Sequence, residues 1–268
     1  MVKTTANSTT YFLNPANTYE GGTIISNGIL YARTPGSLPG YNDGRLTVAG
    51  GGTLAVHAFD GGVVGWTADQ IRDLNLASSF LADNAVLSID TTLTGFEMPH
   101  NLPNRMGLTK LGPNRMTLSG INEYRGDTRV QGGEFVITAS GTHRLGMVVA
   151  NTASIMLTNA TGMAIDVTNK SCYIGDDAGR FAVMTVGGKT TWGSWLAGNN
   201  VSGPTLVIGQ RGNAILHLRD EAVITNRLYL GNETSGAGAV YQSGSSRMHN
   251  WCGASSDGRI GKIGRAHV

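Results

Sequence analysis

The chain has 268 residues and a net charge of +2, and only 14% of it is charged. Gly (39), Thr (28), Asn (20) and Ser (18) fill about two-fifths of it, a mixture poor in helix formers and rich in turn and β-branched residues. That composition excludes an all-α fold, and the sparse charge leaves no electrostatic footprint for nucleic acid or an anionic membrane.

No apolar run reaches the length of a transmembrane helix, and the Val-Lys-Thr-Thr after Met1 lacks the long apolar stretch expected of a signal peptide. Residues 13–30 then read strand, glycine turn, strand, glycine, strand. They align without gaps on residues 118–135, an offset of 105. Leu13/Leu118, Asn17/Asn122, Tyr19/Tyr124, Gly21/Gly126, Thr23/Thr128, Ile25/Val130 and Gly28/Gly133 coincide or are close in kind. Residues 31–43, with Pro35 and Pro39, are expected to be loop. Strands are expected at 46–48 and 53–56 around Gly50-Gly51-Gly52, and at 85–89. Residues 66–80 read as a short helix, with Thr67 and Gln70 as a capping box and Ile71 and Leu74 on one face. Residues 98–104, with Pro99 and Pro103, are loop.

A second repeat fills the last third. Tyr173-Ile174-Gly175, Leu206-Val207-Ile208-Gly209 and Leu228-Tyr229-Leu230-Gly231 each precede a polar turn and an alternating strand: 181–186, 214–218 and 239–242. Ile260-Gly261 is a candidate fourth copy. Such units cannot bury an apolar face alone, whereas stacked units share a continuous core. The fold expected is therefore all-β, a right-handed parallel β-helix with one short helical insertion near residues 67–76. At roughly 20 to 25 residues per coil and about 4.8 Å per strand spacing, it would form a monomeric rod roughly 50 to 60 Å long. Residues 1–262 are expected to be a single repeat region, with repeats near 13–30, 107–137, 173–186, 206–225 and 228–248. The tail 263–268, Ile-Gly-Arg-Ala-His-Val, matches the translation of a common sequencing adapter, so the chain is expected to be an internal fragment.

The stretch Gly107-Leu108-Thr109-Lys110-Leu111-Gly112-Pro113-Asn114-Arg115-Met116-Thr117-Leu118-Ser119-Gly120-Ile121-Asn122-Glu123-Tyr124-Arg125-Gly126-Asp127-Thr128 resembles the autotransporter-associated, or passenger-associated, β-strand repeat. Residues 13–30 are similar to the second half of that repeat. The resemblance implies a secreted or surface-displayed bacterial β-helix, anchored in the outer membrane if a barrel follows. It implies no catalytic residues, and no barrel strands are seen here.

Motifs that could carry chemistry have plainer readings beside them. Val186-Gly187-Gly188-Lys189-Thr190-Thr191 imitates the end of a phosphate-binding loop but has Val183 where a glycine is needed, so it reads as a strand-end turn. Arg125-Gly126-Asp127 is an adhesion tripeptide in an expected exposed turn, and the aligned copy is Glu20-Gly21-Gly22; these three residues are the weak adhesion candidates. Asp176-Asp177 could bind calcium or form an acid/base pair, and reads as a solvated turn. His57, His100, His143, His217, His249 and His267 show no metal-ligand spacing, and His217, between Leu216 and Leu218, is expected to face solvent. Ser194 has no base partner and lies in no nucleophile elbow. Trp192, Trp195 and Tyr241 suit either sugar stacking or packing. Cys172 and Cys252 are too few for a disulfide framework or zinc site.

Catalytic, cofactor and metal sites are therefore expected to be absent. The expected role is an extracellular stalk or adhesin passenger, whose partners would be surface glycans or host matrix proteins met through many weak contacts. The alternative is a β-helical polysaccharide lyase or glycosidase, which needs carboxylates or a Lys/Arg base converging on one strand column. A passive spacer is the third reading.

Overall fold

The computed structural model describes residues 1–59, 64–74, 76–102, 106–146, 148–167, 170–193, 205–225, 227–248 and 263–265. The chain is mostly strand and divides into two compact units, Met1–Thr128 and Arg129–Val268.

In the first unit, successive coils return the chain to the same parallel ladders. One ladder joins Val2–Lys3, Thr23–Ile25 and Leu46–Val48. A longer one joins Thr9–Phe12, Gly28–Ala32, Gly52–His57, Val86–Asp90 and Gly107–Leu111. A third pairs Phe96–Met98 with Met116–Leu118. In-register stacking lines identical faces up: Leu30, Leu54, Leu87 and Leu108 form one fully buried column. Alternation does the rest, since residues two apart share a face. Thr23–Ile25 is buried, exposed, buried, and Gly28–Ala32 continues that pattern. Burying such a leucine contributes about 1.5–3 kcal/mol, and no single coil can bury one without its neighbour.

The expected capping box is present: Thr67 Oγ1 accepts from Gln70 N (3.3 Å), and Thr67 N donates to Gln70 Oε1 (3.0 Å). The helix itself is divided into Ala68–Arg72 (α1) and Leu76–Ser79 (α2). Ile71, Leu74, Leu76 and Phe80 are all buried. Leu74 and Leu76 would lie ~200° apart on one continuous helix, so burying both requires the break. The region expected to be loop after Tyr31 begins as the last residues of a strand and contains a single 3₁₀ turn at Pro35–Ser37.

The second unit repeats the scheme with longer strands. Cys172–Ile174, Thr205–Ile208 and Arg227–Leu230 stack in parallel. Gly133–Ile137, Ala153–Asp166, Phe181–Gly193, Asn213–Leu218, Ala237–Gln242 and Ile263–Arg265 form the other main ladder. Phe135, Ile155, Met184, Leu216 and Val240 make its buried column. Ile174, Ile208 and Leu230 stack in the opposing one, each followed by a glycine with positive φ: Gly175 (+73°), Gly209 (+79°) and Gly231 (+60°). These corners are the strand-glycine-strand units read from the sequence. Ile260-Gly261 lies outside the described residues.

The 105-residue offset is structural as well. Gly28–Ala32 and Gly133–Ile137 are both strands opened by a glycine of positive φ, +72° and +66°. In both copies a tyrosine hydroxyl meets a threonine four residues on: Tyr19–Thr23 at 2.7 Å and Tyr124–Thr128 at 2.9 Å.

Candidate functional site

The phosphate-loop mimic sits inside the Phe181–Gly193 strand, where the ladder to Ala153–Asp166 shifts register between Asn159 and Met163. Gly188 has φ +63°, and its N–H donates to Asp220 Oδ2 at 2.9 Å. A carboxylate thus occupies the amide that a phosphate would need, and the peptide serves as a corner between two rungs. Asp176 and Asp177 lie in a turn after Gly175. Arg211, 35 and 34 residues on, pairs with both at 3.4 Å and donates from Nε to the Asp176 carbonyl at 2.6 Å. Their charge is spent in tying one turn to the next.

Within Arg125-Gly126-Asp127, Arg125 is exposed, Gly126 is buried and Asp127 is half-buried. A Cβ on Gly126 would stand 2.0 Å from the Asp83 carbonyl oxygen, and the Asp127 carbonyl accepts from Leu108 N at 2.9 Å. The tripeptide therefore lies against the neighbouring coil. Trp192 is fully buried and offers no face to a sugar, so its role is packing. Trp195, Ser194, His249, His267 and Cys252 fall outside the described residues. Cys172 is buried beside Leu206 in an interior column.

The histidines are dispersed. His143 is buried, with Nε2 2.9 Å from the Ala139 carbonyl. His100 Nε2 meets Asp69 Oδ1 at 2.8 Å. His217 is half-exposed on the outer face and stacks on Tyr241, ring centroids 5.4 Å apart and 22° from parallel. Burial and the nearby Arg219 hold the His217 imidazole below its ordinary pKa. Among the described residues no group of three or more His, Cys, Asp or Glu is placed to hold a metal ion. No helix among them is long and apolar enough to cross a membrane.

The richest cluster was not singled out by motif. On the outer face of the five-stranded ladder of the first unit, Tyr11 stands in register with Tyr31, Ala55 and Ser88. Two positions on, His57 is in register with Asp90, and the exposed Arg33 lies two residues after Tyr31. The Tyr11 and Tyr31 rings lie 5.5 Å apart, and Tyr31 and His57 6.2 Å apart. Tyr31 reaches diagonally over the next strand and donates its hydroxyl proton to Asp90 Oδ2 at 2.9 Å. Ala55 and Ser88, in register with Tyr31, are buried although they face outward. Asp90 Oδ1 accepts from Thr92 N (2.9 Å) and Thr92 Oγ1 (2.5 Å). Burial, then the charge and hydrogen bond of Asp90, push the Tyr31 hydroxyl pKa up. Burial pulls His57 down against the attraction of Asp90. Among the described residues of this row one carboxylate, Asp90, holds Tyr31 through Oδ2 and Thr92 through Oδ1. Only the three-dimensional register brings these residues together, because they are drawn from four coils spanning residues 11–90.

Underneath, Lys110 takes an interior position. It stands in the column Ala32, Val56, Ile89, Lys110 and is 0% exposed. Its ammonium donates to Thr91 Oγ1 (2.8 Å), Leu111 O (3.0 Å) and Gly112 O (2.7 Å). Burial lowers its pKa to about 8, opposed by Asp90. Lys3 does the same beside Ile25 and Val48, bonding Ser8 Oγ at 2.9 Å and the Thr5 carbonyl. Both lysines close corners from inside and present no free amine to a substrate.

The profile of the passenger-associated-transport-repeat family matches residues 6–32 and 108–137. No curated protein and no solved structure matches the chain. The two matched segments carry the same tyrosine–threonine pair and the same positive-φ glycine, and the second contains Lys110. The chain is therefore a parallel-stranded, all-β protein in which two segments match the passenger-associated-transport-repeat.

Proposed function

We propose that this chain is a β-helical segment of an autotransporter-like passenger, displayed outside the cell as a stalk or adhesin. The observation that carries the reading is the recurrence of one corner-and-rung design at both passenger-repeat segments. Parallel rungs of adjacent coils need no long-range partner other than the coil before, which suits a chain exported unfolded and folded coil by coil. The outer faces offer repeated hydroxyl, amide and aromatic groups, where many weak contacts sum. Among the described residues the Tyr31–Asp90 row has one carboxylate, where glycoside hydrolysis uses a pair, which favours binding over hydrolysis.

Antibodies against residues 1–248, applied to intact cells of the strain that carries the gene, test display. Labelling that external protease removes supports the reading. Signal seen only after lysis, in cells with an intact envelope, would refute it.

A further inference from the structure

The outer row of the first unit contains more recognition chemistry than packing requires. Tyr11 is 61% exposed, yet its ring is held against Tyr31, itself fixed by Asp90. An aromatic face so pre-positioned suits stacking on the C–H face of a sugar. Beside it, Arg33 is exposed, and its charge acts on both Tyr31 and His57. Among the described residues it forms no salt bridge or side-chain hydrogen bond. Asp90, whose two oxygens accept from Tyr31 and Thr92, makes no salt bridge with it. What the row leaves available is one ring face and one guanidinium. A guanidinium recognises a carboxylate through two parallel N–H donors.

We propose that the Tyr11–Tyr31–Arg33 face binds a uronate-containing saccharide, with a pyranose ring stacked on Tyr11 and its carboxylate paired with Arg33. This goes beyond display and holds wherever the chain resides. Asp90 acts as a positioning residue that fixes the Tyr31 hydroxyl, and His57 packs beside the ring. The exposed ring sets the site's affinity, and the guanidinium selects the acid over a neutral sugar.

Calorimetric titration of the purified chain with oligogalacturonate, and separately with its methyl ester, tests the assignment. The acid should bind, the ester roughly tenfold or more weakly, and binding of the acid should weaken as salt is raised. Tyr11→Ala and Arg33→Gln should each lower affinity roughly tenfold. Tyr11→Phe, which keeps the ring, should retain it. Tyr11 and Arg33 are exposed, so these variants should keep the native far-ultraviolet circular dichroism. Tyr241→Ala, in the other unit, should leave binding unchanged. The proposal is overturned if neither form binds, if acid and ester bind equally, or if binding survives both Tyr11→Ala and Arg33→Gln.

Discussion

Lys110 shows how one residue can look like surface and be core. Its column neighbours are Ala32, Val56 and Ile89, and an ammonium there is tolerated because three oxygens surround it. Lys110→Met keeps the stem but leaves the Gly112 carbonyl without this donor, so it should cost about 1–3 kcal/mol in denaturant unfolding. The wild type also carries a pH signature. The folded pKa of about 8 lies below the ordinary 10.5, so between these values the unfolded chain holds more protons. Stability from this group is complete above 10.5 and is lost as pH falls through 8. The raised Tyr31 and Tyr124 act oppositely, their contributions disappearing only as pH climbs past the ordinary tyrosine value of 10 and through their folded values. Wild type minus Lys110→Met stability should therefore increase from pH 8 to 9.5; a flat difference would contradict the buried-ammonium account. The tyrosine–threonine pairs make a second residue-scale comparison. Tyr124 is fully buried and Tyr19 only half so. Tyr124→Phe should cost about 1 kcal/mol and Tyr19→Phe less, since water can replace the exposed partner.

At the scale of the element, the corners decide where rungs begin. Gly209 has φ +79°, and a Cβ there would stand 2.2 Å from the Ala237 carbonyl oxygen. Gly179 has φ +72° but open space around it. Gly179→Ala should cost about 1–2 kcal/mol, the left-handed penalty alone. Gly209→Ala should cost clearly more, because the backbone must also shift. Equal melting shifts for the two would show that the close approach carries no energy. Helix α1 was legible because its capping box uses neighbours in sequence. The break before α2 was not, since it follows from which residues the coils bury.

For the molecule as a whole, each unit is a series of rungs stabilised mainly by adjacent rungs, so loss of structure should be graded. Ala153–Asp166 and Phe181–Gly193 share ten paired positions, and the latter is also paired on its far side by Asn213–Leu218. Amide exchange under rising urea should leave the Phe181–Val186 rung protected longest in the second unit. A single free energy shared by all amides would contradict this picture, and with it the coil-by-coil folding that export would use.

The amino-acid order by itself determined the β class, the two repeat types, the corner glycines and the capping box. These depend on composition, on alternation of period two and on contacts a few residues apart. Only the tertiary structure decided which face each rung turns outward, that Lys110 and Trp192 lie inside, that Gly126 lies against a neighbouring coil, and that Tyr11, Tyr31, Arg33, His57 and Asp90 share one row. The physical reason is register. A parallel ladder joins residues some 20 to 35 positions apart, and that separation varies with every inserted turn: Thr9 pairs with Ile29, Thr53 with Val86 and Phe181 with Asn213. One residue of slip would exchange the inner and outer faces, and the choice is made by the buried columns acting together.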